Sequence, residues 1–161
     1  MSIWGGITGG LLGFVVLGPI GALVGSVIGS NISSRSKRKR PNNFDQQVAF
    51  FAALFACLAK IAKADGRVDE VEIKKIEEII SNKLNLNREH RHFAINIFQK
   101  AKDDNISFEA YASNLYQVLS SSPNSLLVFY EMLFELALAD GILHPNEDAL
   151  LKKIPRIFRI D

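Results

Sequence analysis

The sequence predicts an all-α protein: an N-terminal glycine-zipper transmembrane helix followed by a helical domain that contains an internal pseudo-repeat. Three observations lead there. Residues 1–34 carry no charged side chain. The remainder shows apolar residues at helical spacing, and no run alternates with period two over strand length. Finally, one turn is written twice, 75 residues apart: Asp65-Gly66-x-Val68-x-x-x-Glu72 and Asp140-Gly141-x-Leu143-x-x-x-Glu147. Apolar positions keep phase across the copies (Leu54 with Phe129, Leu58 with Leu133, Ile61 with Leu136, Ile76 with Leu151, Ile79 with Ile154), which marks a repeated helix–turn–helix unit.

The first part, 1–34, is the transmembrane segment. From Ile3 to Ile32 it is almost wholly apolar, small or glycine. At ~1.5 Å per residue it exceeds the ~30 Å hydrocarbon core, so a single span fits with tilt or a kink. Basic charge follows the apolar stretch instead of preceding it, so the segment is expected to stay as an anchor and not to be cleaved as a signal peptide. Gly5, Gly9 and Gly13 form one series at spacing four, and Gly21, Gly25 and Gly29 form another. Each lines one helix face and lets a second backbone approach closely, which predicts a homo-oligomer formed through the membrane segment. Gly18-Pro19 interrupts the run. One kinked span is preferred over a hairpin, whose arms of about 15 residues are short for a full crossing.

Residues 35–43 form a basic linker. Arg35, Lys37, Arg38, Lys39 and Arg40 abut the apolar segment, where Lys and Arg mark the cytoplasmic flank. Against a formal net charge of +2 they leave the rest of the chain acidic. The charge is therefore local. It lacks interleaved aromatics and argues for anionic membrane lipid, not nucleic acid, as the partner.

The domain, 44–161, opens on a long helix from about Phe44 to Ala64, apolar around most of its circumference and so predicted central. Gly66 ends it, and Asp69 with Glu72 reads as a capping box stapled by Val68 and Ile73. An amphipathic helix runs to Leu84. Asn85 and Asn87 make a turn before a helix that carries Phe93, Ile97 and Phe98 and ends near Asp104. Ser107 caps the next helix. After a break at Ser120–Asn124, a second long helix runs from Leu126 to Ala139. Gly141 stops it, His144 is the N-cap and Pro145 the first helical residue of a final helix, Glu147 to about Phe158, with Pro155 weakening its end.

Asp65, Glu72, Asp140 and Glu147 are the candidate metal ligands, because hard divalent cations favour carboxylate oxygens. Asp69, Glu70 and His144 are possible additions. The spacing is not that of an EF-hand loop. Capping accounts for Glu72 and Glu147 without a metal; it does not account for an aspartate before glycine twice. Calcium, magnesium, manganese and zinc all stay open as the cation, and otherwise no cofactor is expected. His90 and His92, two apart on a helix, face different ways. Cys57, the single cysteine, lies in an apolar helix and reads as a core thiol. No phosphate loop, nucleophile elbow or zincin motif is present, so no catalytic residues and no enzyme are expected.

Trp4 and the glycine-rich segment, the basic flank, Lys63-Ala64-Asp65-Gly66-Arg67-Val68 and, above all, Ala139-Asp140-Gly141-Ile142-Leu143-His144-Pro145-Asn146-Glu147 resemble the front two-thirds of DjlA-type membrane-anchored DnaJ-like co-chaperones. The middle region of that family is a TerB-like domain, shared with tellurite-resistance proteins. The resemblance implies a bacterial inner-membrane anchor that self-associates, a cytoplasmic TerB-like domain with acidic turns proposed to bind metal, and a following J domain that stimulates an Hsp70. The sequence stops at Asp161 before any J domain, and His144-Pro145-Asn146 belongs to the second turn, so an Hsp70 partner is expected only if a J domain follows. The expected function is a non-enzymatic interaction or sensing module linked to chaperone recruitment or envelope stress, its protein partner unknown. Two alternatives stay open: a membrane-active glycine-zipper assembly that the helical domain regulates, and a soluble divalent-cation-binding module.

Overall fold

The computed structural model describes residues 18–28, 43–64, 70–139 and 141–160, every one of them in helix or in the turns between helices, with no strand among them. Among the described residues eight helices follow in order: α1 (Pro19–Ile28), α2 (Asn43–Ala62), α3 (Glu70–Lys83), α4 (Arg88–Asp103), α5 (Phe108–Leu119), α6 (Pro123–Ala137), α7 (Pro145–Leu151) and α8 (Ile154–Phe158).

Helix α2 is the axis of the domain. Every residue from Ala52 to Ala59 is buried, Cys57 among them. A helix apolar all round has no solvent face to offer, so others must surround it; α4, α5 and α6 do, and α7 closes one end. Alanines at 49, 52, 53, 56 and 59, all fully buried, let neighbouring helices approach closely. Aromatic residues fill the opposite gaps. Phe129 of α6 meets Phe50 edge-on at 5.3 Å and Phe158 of α8 at 5.6 Å between ring centroids, separations typical of favourable aromatic pairs.

Local signals set most boundaries. Asn87 Oδ1 accepts from His90 N–H at 2.8 Å and Ser107 Oγ from Ala110 N–H at 3.0 Å, each satisfying an orphan donor at the start of α4 and α5. Asn85 takes a left-handed conformation, φ 51°, to turn the chain after α3. Pro123 opens α6 three residues earlier than the apolar pattern suggests, because proline at the first turn forfeits no hydrogen bond. The last helix differs from expectation. Lys152 and Lys153 divide it into α7 and α8, and Pro155 lies in the first turn of α8 instead of weakening a helix end.

The two copies of the repeat bury equivalent positions. Leu54, Leu58 and Ile61 are at most 4% exposed, and Phe129, Leu133 and Leu136 at most 6%. In the second helix of each unit the equivalence loosens: Leu151 and Ile154 are fully buried, whereas Ile76 and Ile79 only pack against the core.

Packing begins earlier than the expected domain start at residue 44. Gly18 adopts φ +92° and Pro19 starts α1, so a helix begins at this dipeptide, and the residues before it lie outside the described ones. Ile20, Leu23 and Val24 are 0, 5 and 0% exposed, with Val27 packed beside them. They lie against α4, α2 and α5. Burying three such aliphatic side chains contributes ~1.5–3 kcal/mol each. At ten residues, or ~15 Å, α1 is half the thickness of a bilayer core. Among the described residues no helix is long and apolar enough to cross a membrane.

Candidate functional site

The second turn ends α6 and starts α7, while the first, residues 65–69, lies outside the described residues. Beside the second turn lies a cleft of about 270 Å³. Its floor is apolar, from Leu58 and Ile61 of α2, Ile76 and Ile79 of α3 and Leu136 of α6, and Lys75, His144 and Glu147 stand at its rim. Ile142, 57% exposed, extends the apolar surface outward, and Val71, 77% exposed, lies in the first turn of α3. The geometry suits an apolar side chain held in a polar rim.

The second turn shows how its sequence works. Gly141 has φ +82° and its N–H donates to the Leu138 carbonyl at 2.8 Å, which closes α6. Glu147 Oε1 accepts from the His144 backbone N–H at 3.1 Å, the reach-back half of a capping box. Glu147, the one candidate ligand whose side chain is described, is thus a capping residue. Asp65, the Glu72 side chain and Asp140 lie outside the described residues, as do Gly66 and Asp69. Among the described residues no group of three His, Cys, Asp or Glu side chains is placed to hold a metal.

Of the glycine series, Gly21 and Gly25 lie on α1. A Cβ at Gly25 would meet nothing within 4 Å among the described residues. Gly5, Gly9, Gly13, Gly29 and the cations Arg35, Lys37, Arg38, Lys39 and Arg40 lie outside the described residues.

Cys57 is fully buried, and burial, reinforced by the charge of Glu109, pushes its thiol well above the ordinary value of 9.0. The thiolate is the reactive form, so this sulfur is a core atom and not a nucleophile.

Sequence reading missed two polar centres. Asp104 receives Lys60 Nζ from α2 at 2.7 Å, the Ile106 N–H at 2.9 Å and the Tyr111 hydroxyl. Asn114, 6% exposed and the one buried polar residue among those described, accepts the Ile20 N–H at 2.9 Å. Asp104 falls at a helix end, where local capping is a sufficient sequence account. Asn114 sits one to three residues from Tyr111, Ala112 and Leu115 on a buried face, and a lone asparagine at an apolar phase was the available signal.

Comparison with known proteins gives the family. Residues 51–161 match the family model Tellurite resistance protein TerB, and residues 1–39 match Co-chaperone DjlA transmembrane domain. The chain is 33% identical to Co-chaperone protein DjlA of Photobacterium profundum over 96% of its own length and 60% of that protein's. It is 32% identical to the Coxiella burnetii protein of that name, over 88% and 55%, and 30% identical to that of Escherichia coli K12, over 94% and 57%. The chain thus spans little more than half the length of these relatives. No solved structure matches it significantly.

Proposed function

This chain belongs to the TerB family, and from that premise we propose that it is a membrane-anchored, non-enzymatic interaction module linked to chaperone recruitment. The observation that carries the reading is the joint order of its parts. A segment matching the DjlA transmembrane domain precedes a TerB domain, and relatives that align with nearly the whole chain are named co-chaperones. The anchor is residues 1–34 in the bacterial inner membrane, self-associated through its glycines, with Arg35 to Arg40 on the cytoplasmic side against anionic lipid and the helical domain in the cytoplasm. The cleft beside the second turn is where this reading puts a protein partner, since it pairs an apolar floor with exposed Ile142 and a charged rim. Sensing of envelope stress through the same end of the domain is part of the proposal.

Fractionation tests the anchor. After an alkaline carbonate wash the chain should stay with the inner membrane, and in intact spheroplasts added protease should leave the helical domain uncut. Recovery in the wash supernatant would end the anchor reading; cleavage in intact spheroplasts would reverse the orientation. For the chaperone link, in-cell photo-crosslinking from position 142 should give adducts that an Hsp70 or J-protein antibody detects. Adducts with neither class would remove chaperone recruitment from the reading.

A further inference from the structure

The second half of the N-terminal apolar segment has a seat on the helical domain. We propose that residues 18–28 partition between this seat and the bilayer, with Asn114 as the latch and Gly18-Pro19 as the hinge. The inference rests on the membrane reading above and adds a second position for the segment.

The seat is specific. Asn114 lies on α5 among Tyr111, Ala112 and Leu115, all buried. A carboxamide there is costly without a partner, and an apolar residue of similar size would serve packing as well. Its Oδ1 accepts the Ile20 N–H at 2.9 Å, one of the donors left over at the start of α1. The bond gives a leftover donor of α1 a buried acceptor, and it sets where along the groove α1 begins. A Cβ on Gly18 would lie 2.9 Å from that oxygen and 3.0 Å from the Asn114 Cγ. The backbone approaches the latch as closely as glycine allows.

The same stretch carries no ionised group, so it can enter hydrocarbon intact. Ile20, Leu23 and Val24 are shielded from water in either place, so for these side chains the two positions differ little in burial, and the cost of leaving is the groove lining that it exposes. The change in the segment itself is local. Docked, Gly18 is left-handed; in a continuous helix it must take a helical φ, a change that glycine makes at little cost. Pro19 has no N–H, so starting a helix there gives up no bond. Departure of α1 opens the groove on α4, α2 and α5 and uncovers Asn114, so the membrane state of the segment is written onto the surface of the domain.

Ser26 faces solvent in the docked helix, whereas Cys57 is buried. A full-length Ser26→Cys chain is made by cell-free synthesis with and without phosphatidylethanolamine–phosphatidylglycerol vesicles, floated, and treated with a charged, membrane-impermeant maleimide. Without vesicles position 26 should label readily; in the floated fraction labelling should fall at least fivefold. Asn114→Leu, which removes the acceptor, and Gly18→Ala, which crowds it, should both reach half-protection at less lipid. Asn114→Asp keeps the acceptor and should follow the parent. Unchanged labelling in chains that float would overturn the proposal and make α1 a permanent domain helix. Poor labelling without vesicles would remove the seat. A chain that does not float fails the membrane reading itself, and flotation reports that before labelling is read.

Discussion

Lys60 Nζ of α2 lies 2.7 Å from Asp104 Oδ1 and 3.1 Å from the Asp104 carbonyl oxygen, which ties the central helix to the end of α4. One turn on, Lys63 Nζ donates to the Lys102 carbonyl at 3.0 Å. Two cations, Lys60 of α2 and Lys63 just past its end, thus cover the carbonyls left over where α4 ends, the place where positive charge complements the helix dipole. Asp104 Oδ1 also holds the Ile106 N–H, and its Oδ2 the Tyr111 hydroxyl, so one carboxylate joins α2, α4 and α5.

Asp104→Ala should therefore cost about 2–4 kcal/mol, because it strands a mostly shielded ammonium and a buried hydroxyl together. Asp104→Asn, which keeps an acceptor, should cost less. Urea denaturation of the two variants beside the parent measures this; equal stability of the alanine variant would show that the network contributes nothing.

Stability should fall at alkaline pH. Burial, then the hydrogen bond to Asp104 and its charge, raise the Tyr111 phenol above the ordinary 10.0, and burial with the Glu109 charge raises the Cys57 thiol above 9.0. The folded state holds both protons more tightly than the unfolded chain. Their contribution is therefore full below about pH 9 and is lost as pH rises through 9 and 10, at about 1.4 kcal/mol per unit for each group. Tyr111→Phe and Cys57→Ala should each flatten the slope between pH 9 and 11 in denaturation series. A parent curve that is flat over that range would contradict the assignment.

Cys57 should resist thiol reagents while the domain is folded and react at once in urea. Disulfide-exchange colorimetry over a urea series should give a reaction midpoint at the unfolding midpoint. Rapid labelling of the native chain would place the sulfur at the surface.

The paired turns separate capping from metal binding by experiment. Glu147→Ala should lower stability by about 1 kcal/mol through loss of the His144 cap, with or without metal. The cation proposal for Asp65, Glu72, Asp140 and Glu147 adds that calcium, magnesium, manganese or zinc should raise the melting temperature of the parent and not that of Asp65→Asn/Asp140→Asn. No shift with any of the four ions would reduce the turns to helix ends and a cleft.

The sequence by itself determined the helical class, the repeat, the central role of α2, the turn at Asn85 and Asn87 and the caps at Ser107, Gly141 and Glu147. Those features are local: apolar phase, a side-chain oxygen near its own backbone and a left-handed glycine all act within a few residues. Only the tertiary structure decided where α1 goes. The seat joins Ile20 to Asn114 across 94 residues and the Lys60–Asp104 bridge spans 44, and no local pattern ranks such partners. The composition that makes residues 18–28 suitable for a bilayer makes them equally suitable for a protein groove, because both environments exclude water. What marks the groove as a place for them is a hydrogen-bond acceptor on a distant helix.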